Sequence, residues 1–176
     1  MATTQTGPTF TFRVQPNASE VGAGRVNTST TFSLLSTNAL VFDFNAPREL
    51  TIPNNLTLVD GTANTLGAGS SQIVAQASAT GIDQGASVAI TVQPVITSVT
   101  NNSGPANQTT AAILNGRNLI TATGVTAPTG ITATITGWTT TALNVSIQVA
   151  AGTATGAKSL TLITPGGNVN FTFTVN

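Results

Sequence analysis

Residues 94–118 read Pro94-Val-Ile-Thr-Ser-Val-Thr-Asn-Asn-Ser-Gly-Pro-Ala-Asn-Gln-Thr-Thr-Ala-Ala-Ile-Leu-Asn-Gly-Arg-Asn118. Pro94 closes one series of short apolar runs, and residues 95–99 open another. Proline biases Gln93 toward extended backbone and cannot donate to a ladder, so the boundary between the two series is sharp. Ser103-Gly-Pro105 predicts a turn before the next apolar run at 111–114. The stretch divides the chain into 1–93 and 94–176 and forms the first corner of a β-sandwich. It carries no catalytic side chain.

Working forward from Pro94, short runs fall at 95–99, 109–114, 124–127, 131–136, 143–149, 158–163 and 169–175. Seven short strands with turn residues between them is the count for an Ig-like sandwich. Working back, residues 9–14 alternate strictly, with Phe10, Phe12 and Val14 on one face. Further strands are predicted at 30–35, at 39–44 with Leu40, Phe42 and Phe44 inward, at 49–52 and at 56–59. Asp60-Gly61 then reads as a turn, and the Gly/Ser-rich residues 63–71 as a mobile loop. Residues 71–79 and 86–93 have the spacing of an antiparallel hairpin, and 15–27 read as an irregular crossing. No segment keeps helical periodicity over three turns. Threonine-rich, β-branched composition favours strands throughout. The fold class is all-β, two tandem Ig-like β-sandwich domains.

The second half resembles the IPT/TIG family of Ig-like domains. Pro94-Val-Ile-Thr-Ser-Val99 is similar to the family's opening strand and Asn102-Ser-Gly-Pro105 to its first turn. The run from Thr109 to Leu119 resembles its second strand with a Gly-x-Asn-Leu corner. Gly152-Thr-Ala-Thr-Gly156 and Thr164-Pro-Gly-Gly167 resemble its last turns. Val149-Ala-Ala-Gly152 departs from it, lacking the proline that commonly precedes Ala-Gly. The resemblance implies a spacer, dimerisation module or adhesive unit, and no activity. Residues 1–93 carry no such motif and read as Ig-like from strand pattern alone.

Composition excludes most chemistry. The chain has no Cys, His or Tyr, and only 6% of its 176 residues are charged, against about 25% in an average soluble protein. Disulfides, thiolate metal sites and imidazole acid–base catalysis are therefore absent. Asp43, Glu49 and Asp60 could form a carboxylate pair of the glycosidase kind. They read more simply as an outward strand residue, a neighbour of Arg48 and a turn former. Asp60-Gly-Thr-Ala-Asn64 offers oxygens at alternate positions but lacks the other carboxylates of a calcium loop. Five dispersed cations cannot neutralise the ~6–10 phosphates of a nucleic-acid site. No apolar run of about 18 residues exists to insert in a membrane. The seven Asn-x-Ser/Thr triplets, at Asn17, Asn27, Asn55, Asn101, Asn107, Asn144 and Asn170, follow from composition. Trp138 could stack on a sugar, but one Trp beside a glycine reads as a cap on a sandwich core.

These exclusions leave a non-enzyme without cofactor, metal or catalytic residue, whose work is contact with protein. The single lysine and zero net charge make a free, concentrated monomer sticky. The expected partner is a protein lattice, of capsid or tail proteins, or copies of the chain itself. Met1-Ala-Thr-Thr-Gln-Thr-Gly-Pro8 has neither a basic nor an apolar leader region. That favours a bacteriophage virion component, such as a decoration or tail-ornament protein; which half would anchor it is not read from the sequence. The alternatives are an Ig-like repeat of a bacterial surface adhesin and, third, a carbohydrate-binding accessory module.

Overall fold

The computed structural model describes residues 3–15, 30–46, 48–53, 58–77, 85–86 and 89–176. The crossing predicted at 15–27 lies almost wholly outside these, as do the hairpin tip at 78–84 and the triplets at Asn17, Asn27 and Asn55. The described residues form strands, turns and bends only.

The second half is built from β11 (Val95–Thr100), β12 (Ser103–Gly104), β13 (Thr109–Arg117), β14 (Gly124–Thr126), β15 (Ile131–Trp138), β16 (Ala142–Val149), β17 (Gly156–Ile163) and β18 (Val169–Val175). They make two four-stranded sheets, β11-β13-β16-β15 and β12-β18-β17-β14. Only β12–β18 is parallel. Alternate residues of each long strand turn inward, so Leu114, Leu143, Ile147, Leu160, Leu162 and Phe173 meet in a core from which solvent is excluded. Burying such a side chain contributes roughly 1.5–3 kcal/mol. The turn predicted at Ser103-Gly104 is instead the strand β12. Asn101, at φ 55°, swings the chain from one sheet to the other between β11 and β12. Asparagine tolerates that left-handed conformation because its short polar side chain bonds locally; here Nδ2 donates to Ala111 O at 3.1 Å.

The first half contains β1 (Thr3–Gln5), β2 (Thr9–Val14), β3 (Thr30–Ser36), β4 (Phe42–Phe44), β5 (Glu49–Ile52), β6 (Val59–Thr65), β7 (Gly69–Ser71), β8 (Ile73–Ala77), β9 (Gly85–Ala86) and β10 (Ile90–Val92). Sheet β2-β6-β4 packs over β5-β3-β8-β9. A third sheet, β1-β10-β7, continues the latter, since only Gln72 separates β7 from β8. The predicted hairpin arms do pair, Ile90 with Ser71 and Ala86 with Val74. Phe10, Phe42 and Phe44 anchor this core, with edge-on ring contacts at 5.2 Å (Phe10–Phe42) and 6.0 Å (Phe42–Phe44). Each such pair adds about 0.5–1.5 kcal/mol beyond burial.

Three expectations are corrected here. Leu40 is not inward: residues 39–41 form a turn ahead of β4, and Leu40 is 63% exposed. Asp60-Gly61 is not a turn but lies within β6, where Asp60 faces Arg13 and Gly61 faces Phe12. A Cβ on Gly61 would stand 2.5 Å from Phe12 Cζ and 2.7 Å from Leu50 Cδ1, so this glycine makes room for packing. Residues 63–71 are not a free loop, because Ala63 and Ala68 are wholly buried.

The correction at Leu40 has a direct check. Phe42→Ala should cost about 3–5 kcal/mol in equilibrium urea unfolding, whereas Leu40→Ala should stay within about 0.5 kcal/mol of the parent.

Candidate interaction surface and the joint that positions it

Residues 66–69 cross from β6 to β7 and seat against the corner that follows β13. Gly67 forms an antiparallel bridge with Leu119. The Ala68 N–H donates to Asn118 O at 3.0 Å, and Thr121 Oγ1 donates to Ala68 O at 2.6 Å. Asn118 Nδ2 donates to Gln93 O at 2.9 Å, and Arg117 Nε to Thr6 O at 3.0 Å. Ala68, Val92 and Leu119 are fully buried, and Asn118 is 1% exposed. Small residues permit this approach. A Cβ on Gly67 would lie 2.5 Å from Thr121 Cγ2, and one on Gly166 would strike Val92 O and the backbone at Gly69.

The carboxylates do not converge. Asp60 accepts Arg13 Nε at 2.7 Å and Arg13 Nη2 at 3.0 Å through its two oxygens. This hydrogen bonding holds the Asp60 carboxyl below its usual pKa and raises that of the Arg13 guanidinium. Both groups are exposed, so the pair adds little stability. Asp43 accepts Arg48 Nη2 at 2.6 Å and the Phe44 N–H at 2.8 Å. Asp43 is aligned with Asn64 on β6, four residues along from Asp60. At ~3.4 Å per residue the two lie ~14 Å apart, beyond the ~5–9.5 Å of a glycosidase pair. Glu49 is on the other sheet, aligned with Ser33. The calcium-like segment 60–64 is straight strand. Among the described residues no three His, Cys, Asp or Glu side chains cluster as a metal site.

Trp138 reverses the reading of a core cap: it is 59% exposed. It ends β15, whose ladder to β16 carries a bulge between Ile135 and Gly137. Bulges re-aim side chains at sheet edges. Asn144, aligned with Gly137, is exposed on the outer face of the sheet, while Trp138 is aligned with core-facing Leu143.

The outer face of β11-β13-β16-β15 is a plain of Thr100, Ile113, Asn144, Ser146, Gln148 and Thr134. Asn115 Nδ2 ties two strands of it together through Ser98 Oγ at 3.2 Å and Thr100 Oγ1 at 3.1 Å. The sheet's one charge, Arg117, is spent on the joint. None of the edge strands β11, β12, β14 and β15 contains a charged residue. The first sandwich differs: Arg13, Asp43 and Glu49 stand on its edge strands β2, β4 and β5. That only Arg117 and Lys158 follow Pro94 is legible in the sequence; that neither stands on an edge strand needed the strand order.

No protein-family model matches the chain, and no curated protein sequence matches it. Solved structures similar to it include domains 4 and 5 of the S-layer protein SbsC, at 15% identity, 82% of this chain, 75% of that one and a TM-score of 0.33. Domains 5-6 of the same protein share 13% identity over 99% of this chain and 93% of that one, with a TM-score of 0.36. The extracellular portion of mouse CD200RLa shares 9% over the whole of both chains, with a TM-score of 0.44. Likenesses this distant say nothing of what the chain does.

The joint is tested by Gly166→Ala. Its methyl group meets backbone, which cannot rotate aside, so the variant should lose about 1–3 kcal/mol in urea unfolding while keeping a β-sheet circular dichroism spectrum.

Proposed function

We propose that this chain is a non-enzymatic structural protein that adds to a protein lattice and stabilises it. A bacteriophage shell or tail is the setting that best fits the reading, with the chain as a decoration or ornament protein. The observation that carries the reading is the uncharged set of edges and outer face on the second sandwich. An interface formed there draws on hydrogen bonds and shape, since it holds no ions to desolvate. The second sandwich is accordingly the docking half. The first half is the poorer candidate, because its edges are guarded by charge.

The exposure of Trp138 favours a second reading. An exposed Trp could stack on a sugar ring, which suits a carbohydrate-binding module or the repeat of a surface adhesin. One aromatic is few for such a face, so the lattice reading stands first.

Mixing the purified chain with undecorated shells should give saturable, symmetric addition by electron microscopy. Binding should change less than about tenfold between low and high salt, since exposed ion pairs contribute nothing to it. A chain that ignores every candidate lattice but binds a polysaccharide, and loses it on Trp138→Ala, contradicts the reading.

We further propose that the chain divides at Pro94 and that 94–176 is an IPT/TIG-like domain in its own right. Expressed alone, 94–176 should unfold cooperatively with all-β circular dichroism. It should melt below the intact chain, because Asn118 and Leu119 lose their cover. A random-coil spectrum would reject the division.

A further inference from the structure

β15 is hydrogen-bonded to β16 on one side and, among the described residues, has no strand on the other. Its sequence, Ile131-Thr-Ala-Thr-Ile-Thr-Gly-Trp138, holds neither charge nor proline. Such an edge is a template for a further strand, which monomeric proteins block with charge, proline, shortness or a bulge. β12 and β14 are only two and three residues long. β11 is broken by a bulge in its middle, between Ile96 and Ser98. The bulge of β15 lies near its end, between Ile135 and Gly137, and leaves 131–135 in regular register. Of the four edges, this one is long and unguarded.

We infer that residues 131–135 pair antiparallel with the same residues of a second copy, about a two-fold axis at Ala133. The four-stranded sheets of the two copies then merge into one of eight strands. The occupant follows from what a two-fold demands: each strand must be its own complement. A charge on such a strand would stand near its own like across the axis, and β15 has none. The register sets Thr132 against Thr134 on the outer face, twice. A pair of threonine hydroxyls already bridges β3 and β5 at 2.9 Å, between Thr31 and Thr51, and cross-strand pairs of this type favour sheet formation. Trp138 stands four ladder positions from the axis, since the bulge takes up one residue, ~14 Å at ~3.4 Å per residue. The same distance on the other strand reaches the turn at 128–130, with exposed Pro128 and Thr129 and then Gly130. The exposed aromatic therefore meets a proline and a glycine, where a flat ring can lie.

Five residues a side fall short of the ~1,200 Å² of a stable complex. The pairing is weak in solution and gains strength by repetition in an array. It goes beyond lattice binding and holds whatever the lattice is.

Sedimentation equilibrium of the full chain, from about 10 μM to about 1 mM, should show a reversible monomer–dimer equilibrium. Thr134→Lys, at an exposed position, should weaken it at least about tenfold with circular dichroism unchanged. Thr132→Glu added to Thr134→Lys sets opposite charges across both pairs and should restore the dimer. Trp138→Ala should weaken it without changing the melting temperature. A monomer throughout the range, a dimer indifferent to Thr134→Lys, or a double variant no better than the single one overturns the inference.

Discussion

Asn118 hydrogen-bonds the second sandwich to the first half through both its backbone and its side chain. Its backbone sits in the left-handed region at φ 61°, where the turn after β13 reverses and presents its carbonyl to the Ala68 N–H. Its amide nitrogen reaches back to Gln93 O, one residue before Pro94. A flipped amide would set oxygen against oxygen, so the orientation is fixed. Asn118 Oδ1 is buried and accepts no hydrogen bond among the described residues. The corner serves both halves: Leu119 belongs to the second core while its bridge to Gly67 closes the joint. Interfaces between domains are usually polar and permit motion. This one is buried and bonded through backbone, which fixes direction as well as distance.

Much of this was legible in the sequence, and the failures share a cause. Six of the seven strands predicted in the second half lie within two residues of their bounds and β13 runs three residues further, because half-buried strands alternate with period two. β1 and β12 are too short to carry periodicity, and in β6 and β7 glycine and serine mask it. Glycine was misread at Gly61 and Gly67. A sequence shows what glycine permits but not what approaches it, and here a Phe12 ring and a Thr121 methyl come close enough to forbid a Cβ. Leu40 and Trp138 were placed inward on hydrophobicity, which does not reveal that one lies in a turn and the other beyond a bulge. The joint is illegible in the sequence, because its partners lie 25 to 111 residues apart and every acceptor is a backbone carbonyl.

The same geometry accounts for the division of surfaces. Charge pairs sit on the first sandwich, Arg13 with Asp60 and Arg48 with Asp43, and they guard its edges. The second sandwich offers hydroxyls, amides and one indole. A rigid joint matters for such a body, since a face that binds through shape and hydrogen bonds gains most when little freedom remains to be lost. Low charge, one long unguarded edge and a fixed joint together support the proposed contact with protein.

The central claim is that the two sandwiches form one rigid body. The chain has no cysteine, so a spin label can be placed at will on Thr62 and Thr172, both exposed on strands of different sandwiches. Double electron–electron resonance between labels at Thr62→Cys and Thr172→Cys measures the distance distribution directly. A rigid joint gives a single distribution no wider than the labels themselves produce. A broad or two-peaked distribution in the otherwise native chain would contradict the account.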